Sequence, residues 1–381
     1  NNRLVGGGGA DSIDGGGGND RLSGNADADV LDGGSGIDTS VYTSLASTAS
    51  SWHRNPNGTW TVSAGAEGTD TLTNVEFLDF GDRDVFLARA MSNFNGDGVS
   101  DILWRNNTGT LAVWGLQPQG ITFSGGWNGG ADLSIQALAD FDGNGVNDIL
   151  WRNNAGTSVT LWRFDAAQNI TVTGDWGTSP DWAIAGAGDF DGNGVSDILW
   201  RNNAGTAAAL WLFDENQNVT FASGWGTAPN WSIQGVGDFD GNGVSDILWR
   251  DAAGTSVGIW RFGQSLSLSF GGFSNARADW SIQGIGDFDG NGVSDILWRS
   301  AAGTALEMWR FDQNHNVDVA SGWGASPDWS IEGVGDYDGN GVSDILWRDA
   351  AETTVALWLF DQNQNLTFAG GWGTAPDWGI I

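Results

Sequence analysis

The sequence predicts an all-β protein with a short parallel β-roll, a β-rich cap, and a β-propeller of six, alternatively seven, four-stranded blades. Two repeats carry this prediction. Glycine-rich nonapeptides fill residues 1–41, and one nine-residue loop recurs six times, at steps of 47 and then four times 49 residues. Such a period indicates a supersecondary unit that buries its apolar faces against its own copies. Residues 42–90 show neither repeat, so we expect a cap or linker there and the propeller from residue 91 to 381.

Composition restricts the partners of the chain. The 381 residues include 47 acidic and 15 basic ones, every basic residue is Arg, and the formal net charge is −32. A charge of this sign argues against nucleic acid or an anionic membrane as a partner and favours cations. No apolar run approaches the roughly 20 residues of a membrane span. Cys is absent, so we expect no disulfide.

The nonapeptides place one carboxylate in every turn. Gly6–Asp14 reads GGGGADSID and Gly15–Ser23 reads GGGGNDRLS, with two looser copies after them. Glycine allows the tight turn, and oxygen ligands suit calcium. The candidate ligands are Asp11, Asp20, Asp29 and Asp38. The apolar residues expected to point inward are Ile13, Leu22 and Leu31. The pattern resembles the RTX repeats of bacterial type I secreted proteins, which implies calcium ions bound to a parallel β-roll.

The segment from residue 42 to 90 alternates β-forming residues, as in Thr59–Val62. Its stretch from Gly68 to Phe80 resembles the β-rich segment that follows RTX repeats in secreted proteases of the serralysin type, which implies a cap on the open end of the roll. The resemblance implies no catalysis, because the zinc-protease HExxH motif is absent and the two histidines, His53 and His315, stand isolated. Residues 1–5 fit the back half of a nonapeptide, so we expect the chain to be part of a longer protein.

Each 49-residue unit is predicted to form four short antiparallel strands separated by Gly, Asn and Asp turns. In the third copy these strands are Trp182–Phe190, Ser196–Asn202, Thr206–Phe213 and Val219–Ser223. The second strand is apolar on both faces, as a blade packed between two others requires. The first is rich in Gly and Ala, which suits the crowded axis of a propeller.

Ring closure is predicted from the C-terminus. Residues 378–381 match the start of the first strand in other copies, and the first copy lacks such a start. The C-terminal strand is therefore predicted to complete the first blade, which gives six blades. A truncated seventh blade is the alternative.

The recurrent loop has the ligand spacing of a calcium site. In the second copy Asp140, Asp142, Asn144 and Asp148 stand at positions 1, 3, 5 and 9, and Val146 offers its carbonyl group at position 7. Oxygen ligands from alternate residues of a tight loop suit a hard cation, and calcium is less strict about geometry than magnesium. No Cys or His is nearby to attract zinc or copper. A strand-forming ILWR sequence follows the loop, where an EF-hand would continue as a helix.

The loop resembles the FG-GAP or VCBS repeats of integrin-type propellers over about 290 residues and in all six copies. That resemblance implies calcium ligands at the same positions in the later copies, namely Asp189, Asp191, Asn193 and Asp197; Asp238, Asp240, Asn242 and Asp246; Asp287, Asp289, Asn291 and Asp295; and Asp336, Asp338, Asn340 and Asp344. The first copy departs from the pattern with Asn93, Asn95, Asp97 and Asp101. It has two carboxylates instead of three, so we expect it to bind calcium most weakly. About six calcium ions in the propeller and further ions in the roll are expected, all in structural roles.

The 24 Trp residues fall into repeated classes. The Trp of each ILWR sequence is expected in the core between blades: Trp104, Trp151, Trp200, Trp249, Trp298 and Trp347. The Trp of each GWG or DWG sequence is expected in a loop, where it either stacks on a sugar or wedges two blades together: Trp127, Trp176, Trp225, Trp323 and Trp372. The Arg after each ILW is expected to pair with carboxylates or to stack on Trp, with an anionic ligand as the alternative: Arg105, Arg152, Arg201, Arg250, Arg299 and Arg348.

These features favour a bacterial, type I secreted protein that acts outside the cell or at its surface, binds calcium and carries no catalytic constellation. We expect it to recognise glycans or surface proteins, or to mediate adhesion, with avidity from its repeated sites. Some FG-GAP-like propellers are lectins, although no lectin residue can be transferred to this sequence. Two alternatives stay open: a self-assembling structural subunit of an extracellular layer, filament or matrix, and an accessory region of a larger secreted enzyme.

Overall fold

Among the residues that the structure describes, the strands form two five-stranded sheets and six four-stranded sheets, which confirms the predicted fold class. The computed structural model describes residues 2–16, 20–34, 38–42, 51–54, 59–73, 75, 77–80, 84–86, 92–117, 120–130, 132–263, 266–274, 276–361 and 363–381. A short 3₁₀ turn lies at Gly65–Glu67. No helix within these ranges has the length and apolarity needed to span a membrane.

The N-terminal sheets form the β-roll. One sheet has, in spatial order, β1 (Arg3–Gly8), β3 (Arg21–Ala26), β5 (Thr39–Val41), β9 (Phe77–Asp79) and β10 (Asp84–Phe86). The other has β2 (Ser12–Asp14), β4 (Val30–Asp32), β8 (Thr69–Thr73), β7 (Trp60–Ser63) and β6 (Ser51–Arg54). The nonapeptide strands pair in parallel, and β8 and β9 continue that parallel pairing. Leu22 and Leu31 are fully buried and Ile13 packs against them, as predicted.

The six remaining sheets are the propeller blades. Blade 1 contains β34 (Trp378–Ile380), β11 (Ile102–Asn106), β12 (Thr110–Gln117) and β13 (Gly120–Asn128). Blade 2 contains β14 (Leu133–Ala139), β15 (Asp148–Asn153), β16 (Ser158–Phe164) and β17 (Ile170–Gly177). Blade 3 contains β18 (Trp182–Gly188), β19 (Asp197–Asn202), β20 (Ala207–Phe213) and β21 (Val219–Gly226).

The other three blades repeat this order. Blade 4 contains β22 (Trp231–Gly237), β23 (Asp246–Asp251), β24 (Ser256–Gly263) and β25 (Ser267–Ser274). Blade 5 contains β26 (Trp280–Gly286), β27 (Asp295–Ser300), β28 (Ala305–Phe311) and β29 (Val317–Gly324). Blade 6 contains β30 (Trp329–Gly335), β31 (Asp344–Asp349), β32 (Thr354–Phe360) and β33 (Leu366–Gly373).

The first strand of each blade is the innermost one. β14, β18, β22, β26 and β30 contact one another in turn around the axis. Their glycines permit this approach: a Cβ atom on Gly186 would lie 2.7 Å from Val236 Cγ2, and one on Gly235 would lie 2.5 Å from Ile285 Cδ1. Small residues in these strands are therefore required by the neighbouring blade, as predicted.

The C-terminal strand closes the ring. β34 pairs antiparallel with β11, with Trp104 opposite Ile380 and Asn106 opposite Trp378. It takes the innermost place that β14 to β30 occupy in the other blades. The prediction of six blades is confirmed, and the alternative of a truncated seventh blade is wrong for the described residues.

One placement predicted from the sequence is wrong. The Trp of the GWG or DWG sequence belongs to the outermost strand and not to a loop: β13, β17, β21, β29 and β33 all run past it. In blade 3 a β-bulge at the Ala208/Ala209 step of the register lets the strand continue. Gly224 supplies the residue of positive φ, at 115°, that the bulge requires. The glycine therefore bends the strand and does not end it.

Candidate metal centres and blade seams

The Asp at position 9 of each loop fixes the loop to its own blade. The carboxylate of Asp148 is buried, and it accepts hydrogen bonds from the backbone N–H of Phe141 and of Phe164, both at 2.9 Å. The same pair of bonds recurs at Asp197, Asp246, Asp295 and Asp344. Each of these residues therefore joins the calcium-type loop to the third strand of its blade.

The residues at positions 1 and 5 shape the loop. Asp140 accepts hydrogen bonds from the N–H groups of Gly143 and Gly145, both at 2.8 Å. Asn144 accepts one from the N–H of Val146 at 2.7 Å, and its amide nitrogen donates to the carbonyl oxygen of Phe164 at 2.9 Å. The loop glycines have φ angles of 73° and 82°, which only glycine adopts easily. The side chains thus hold a tight, oxygen-lined turn.

Three carboxylates converge in each of the last five loops. One oxygen from each lies within 4.8 Å of the others. The triads are Asp140, Asp142 and Asp148; Asp189, Asp191 and Asp197; Asp238, Asp240 and Asp246; Asp287, Asp289 and Asp295; and Asp336, Asp338 and Asp344. Like charges at this separation in a partly buried site repel strongly. A divalent cation is the partner that removes this repulsion.

The carboxylates at position 3 of the loops also favour a bound cation. One oxygen, Oδ1, of Asp142, Asp191 and Asp240 is buried and has no hydrogen-bond partner among the described residues. A buried carboxylate oxygen without a partner is costly, and an oxygen-seeking cation satisfies it. Calcium bound there would take oxygens from positions 1, 3, 5 and 9 and from the backbone at position 7. These ligand assignments, that of Val146 included, stay predictions.

The pKa values of the triad carboxylates also indicate that these loops favour a bound cation. Burial first, and then the neighbouring carboxylates, raise the pKa of Asp148 and Asp246 to about 8 and that of Asp197 to about 9, against the lowering effect of their backbone N–H donors. Burial also raises the pKa of Asp295 and Asp344 well above the usual carboxyl value. Without a cation these loops hold protons near neutral pH, because the interior disfavours several negative charges at once.

The first loop is chemically different. The amide nitrogen of Asn95, at position 3, donates to Asp97 Oδ2 at 3.0 Å. The amide nitrogen of Asn93, at position 1, donates to the carbonyl oxygen of Gly145 in the second loop at 3.3 Å. In this loop amide N–H groups therefore contact oxygen atoms of the kind that a cation would bind in the other five loops. The donor set fits calcium less well than in the other five loops, in keeping with the sequence-based expectation.

Backbone hydrogen bonds join the six loops into a closed ring. The N–H at position 8 of each loop donates to the carbonyl oxygen at position 1 of the preceding loop, at 2.6–2.8 Å. The donor and acceptor pairs are Asn147 and Asn93, Ser196 and Asp140, Ser245 and Asp189, Ser294 and Asp238, Ser343 and Asp287, and Ser100 and Asp336. The last pair links blade 1 to blade 6. Each metal-type loop is thus part of the contact between two blades.

In the β-roll the turn carboxylates form a ladder. The N–H of Asp11 donates to Asp29 Oδ1 at 2.7 Å, the N–H of Asp20 donates to Asp38 Oδ1 at 2.7 Å, and the N–H of Asp29 donates to Asp70 Oδ1 at 3.0 Å. The second oxygen of Asp11 and of Asp29 is buried without a partner among the described residues. Asp11 and Asp29 therefore each keep a carboxylate oxygen that a cation in the turn can bind.

Asp70 was missed as a member of this ladder. It stands in Gly68–Leu72, whose GTDTL sequence repeats the G-x-D-x-L end of a nonapeptide such as Gly18–Leu22. The sequence therefore contained a signal for Asp70 as a turn carboxylate. It was obscured because the stretch between Asp38 and Gly68 shows no glycine repeat that would lead up to it.

The six regular Arg residues bind neighbouring blades. Each guanidinium lies over the ILWR Trp ring of the next blade at 4.9–5.4 Å from its centroid, and Arg348 over Trp104 completes the circle. Arg250 also donates to the carbonyl oxygens of Gly254, Arg277 and Trp280 at 2.6–3.1 Å. The prediction of stacking is confirmed, while the hydrogen bonds go to backbone carbonyls instead of carboxylates. All six ILWR Trp are buried, as predicted.

The GWG-type Trp side chains lie half-buried at the blade seams. Trp225 of blade 3 packs edge-on against Phe262 of blade 4, with ring centroids 5.5 Å apart. The half-buried Trp260 of blade 4 packs on the same cluster as Trp225. Such seams therefore place two partly exposed indole rings, one from each blade, on a single apolar cluster. Three equivalent residues meet the matching Phe of the next blade at 5.3–5.6 Å, and a fourth packs on the cluster between blades 6 and 1: Trp127, Trp176 and Trp323, and then Trp372.

An exposed apolar residue extends each seam outward. Trp260 packs edge-on against Phe270 of the outermost strand at 5.6 Å, and Phe270 is 68% exposed. The equivalent residues of the other blades are exposed by 49–71%: Phe123, Val172, Phe221, Val319 and Phe368. Large apolar side chains exposed at one repeated place indicate a surface that meets a ligand or partner.

Comparison with protein families identifies the N-terminal repeats. The family model of the RTX calcium-binding nonapeptide repeat matches residues 1–39 in four copies. No curated protein matches the chain significantly. The resemblance of the 49-residue unit to FG-GAP or VCBS repeats stays a resemblance.

Solved structures give similarity of fold alone. A protein from Lactobacillus plantarum is 11% identical with a TM-score of 0.42, covering 71% of this chain and 81% of that one. A functionally unknown protein from Desulfotomaculum acetoxidans is 9% identical with a TM-score of 0.41, covering 86% and 98%. A triple arginine mutant of AofleA from Arthrobotrys oligospora is 12% identical with a TM-score of 0.48, covering 77% and 89%. At these values the likenesses carry no argument about function.

Proposed function

We propose that the chain is a secreted, calcium-dependent recognition module that binds carbohydrate chains at cell surfaces without catalysis. The RTX match supports calcium binding and export by a type I route. The carboxylate triads support calcium as the ion that holds the blades together. The observation that carries the carbohydrate part is the repeated seam, where an exposed phenyl ring packs edge-on against a half-buried indole ring and a second half-buried indole ring lies on the same apolar cluster.

Aromatic seams of this kind suit sugars for a physical reason. A pyranose presents an apolar C–H face that packs on an aromatic ring, while its hydroxyl groups stay in water or bond to polar neighbours. Phe123, Phe221, Phe270 and Phe368 are exposed by 67–71%, so their faces are open to such contact. Blades 2 and 5 carry Val172 and Val319 at this place. Four equivalent aromatic seams on one ring would bind a multivalent glycan with avidity.

A glycan array tests the proposal. We expect the protein to bind a defined set of glycans in calcium, and we expect the variant with all four rim Phe residues changed to Ser to lose that binding at least tenfold. The Val172→Phe and Val319→Phe changes are the matched controls, because they should strengthen binding. Calcium stoichiometry and near-ultraviolet circular dichroism verify folding. Failure to bind any glycan, or full binding by the four-Ser variant, would contradict the proposal.

A further inference from the structure

The last five loops of the propeller share an Asn-Gly step. Asn stands at position 5 and Gly at position 6, and none of the five Asn side chains is buried. The pairs are Asn144 and Gly145, Asn193 and Gly194, Asn242 and Gly243, Asn291 and Gly292, and Asn340 and Gly341. Asn followed by Gly is prone to deamidation, because a residue without a side chain leaves its backbone nitrogen open to attack the preceding amide. Five such steps therefore lie inside the metal-type loops.

Deamidation at such a step needs no reactant except water. The backbone nitrogen of Gly145 attacks Cγ of Asn144 and loses its proton, ammonia leaves, and a succinimide ring forms. One water molecule then opens the ring and gives either Asp or isoaspartate, in which the chain continues through the side-chain carbon. Water reaches the step because Asn144 and Gly145 are both exposed. The net result is a carboxylate in place of an amide.

In the folded loop both reacting groups are held by other hydrogen bonds. The N–H of Gly145 donates to Asp140 Oδ2 at 2.8 Å. The Asn144 amide oxygen accepts from the N–H of Val146 at 2.7 Å, and its nitrogen donates to the carbonyl oxygen of Phe164 at 2.9 Å. The side chain of Asn144 is thus fixed at both ends, and the attacking nitrogen is bonded to a carboxylate. These three hydrogen bonds oppose ring closure.

The same three hydrogen bonds recur in the other four loops. The N–H at position 6 donates to the carboxylate at position 1 at 2.7–2.8 Å. The Asn oxygen accepts from the N–H at position 7 at 2.7 Å, and the Asn nitrogen donates to the third strand at 2.8 Å. In every loop the residue that holds the Gly N–H is therefore a member of the carboxylate triad.

This shared Asp links the protection of the step to the charge of the loop. A cation balances the triad and lets the carboxylate at position 1 stay beside the Gly N–H. Without a cation, repulsion among three carboxylates favours separation of that Asp from the loop. We propose that the five Asn-Gly steps are deamidation sites that bound calcium protects, so that a loop without its ion is altered covalently and irreversibly.

The product cannot restore the original loop. Asp at position 144 has no amide hydrogen for the carbonyl oxygen of Phe164, and its carboxylate adds a fourth negative charge beside the triad. Isoaspartate inserts one more atom into the backbone of a tight turn, whose glycines already have φ angles of 73° and 82°. A deamidated loop is therefore expected to remain separated from its third strand when calcium returns.

Peptide mapping by mass spectrometry tests the proposal, because the exchange of NH₂ for OH changes the mass of each peptide. We expect the five loop Asn residues to deamidate at least tenfold faster in excess chelator than in saturating calcium, at mildly alkaline pH. Asn128 is the internal reference, since it precedes Gly129 outside the metal-type loops and the N–H of Gly129 donates to the carbonyl oxygen of Gly109 at 3.1 Å. Its rate should increase less than the rates of the loop residues.

A variant of one loop separates loop opening from general unfolding. Asp191→Ser removes a carboxylate of the third triad and creates no new Asn-Gly step. In saturating calcium we expect Asn193 of this variant to deamidate at least tenfold faster than Asn144 of the same chain, and near-ultraviolet circular dichroism verifies that the chain is folded.

Equal rates at Asn193 and Asn144 in the folded variant would overturn the proposal. Equal rates of the loop Asn residues in calcium and chelator, measured on the unchanged protein, would also overturn it, and this result needs no variant to fold. Neither measurement involves glycan binding, so failure of this inference is distinguishable from failure of the proposed function.

Discussion

The first loop provides the sharpest test of how the propeller uses calcium. The Asn95→Asp variant raises its carboxylate count from two to the three present in every other loop. It also removes the hydrogen bond from the Asn95 amide to Asp97, which measures 3.0 Å. We therefore expect opposite effects in the two metal states: destabilisation in chelator and an additional ion bound in calcium.

The magnitudes follow from these two changes. Loss of a hydrogen bond to a charged group costs about 1.5–3 kcal/mol in chelator. A new site filled at about 100 times its dissociation constant contributes roughly 2.7 kcal/mol in calcium. The difference in unfolding free energy between calcium and chelator should thus increase by roughly 2.7 kcal/mol relative to the unchanged protein.

Urea unfolding in both conditions, with calcium counted by equilibrium dialysis, measures this difference. Asp191→Asn in the third loop is the reciprocal control, because it lowers a complete triad to two carboxylates. It should decrease the difference in unfolding free energy between calcium and chelator. The reasoning is refuted if Asn95→Asp leaves the calcium-dependent part of the stability and the number of bound ions unchanged.

Three further predictions concern pH, the seams and the roll. In chelator, the pKa of Asp148, raised to about 8, and that of Asp197, raised to about 9, mean that these two groups bind more protons in the native state than in the unfolded chain. Their contribution to stability is therefore full below about pH 4 and is lost as the pH rises to about 8–9. Urea midpoints should fall between pH 6 and 9, and midpoints that rise instead would contradict the prediction. The Arg250→Lys change should lower the free energy of unfolding by about 1–3 kcal/mol, because it loses the stack on Trp298 and carbonyl contacts. The Arg310→Lys change, at an exposed ion pair, should lower it by less than about 1 kcal/mol. Thermal unfolding of both variants measures the two effects. Asp70→Asn retains an acceptor for the N–H of Asp29 but removes a charge, so dialysis should count fewer calcium ions per chain, and an unchanged count would remove Asp70 from the ladder of ligands.

Local chemistry and repetition predicted the blades well. The strands of blade 3 lie within a few residues of their predicted bounds, because Gly, Asn and Asp turns mark each end. Closure by Trp378–Ile380 followed from a single comparison between copies. Both inferences needed only residues that are close in sequence or equivalent by repeat.

Contacts between blades were harder to predict. The bulge at Gly224 places Trp225 in a strand. This bulge is visible only in the pairing of Trp225 with Ala208 on the neighbouring strand. The choice of Trp249 as the partner of Arg201 depends on how adjacent blades stack. The backbone bond from Ser245 to Asp189 likewise has no sequence signal, since every residue other than Pro has an N–H and a carbonyl group.

The central claim is that calcium on the carboxylate triads holds the blades of the ring in place. Its most direct test is a calcium titration of fully chelated protein, with bound ions counted by dialysis and Trp packing followed by near-ultraviolet circular dichroism. We predict that the near-ultraviolet signal is weakened in excess chelator and is regained in step with the filling of the triads. A full native spectrum in excess chelator at neutral pH would contradict the claim.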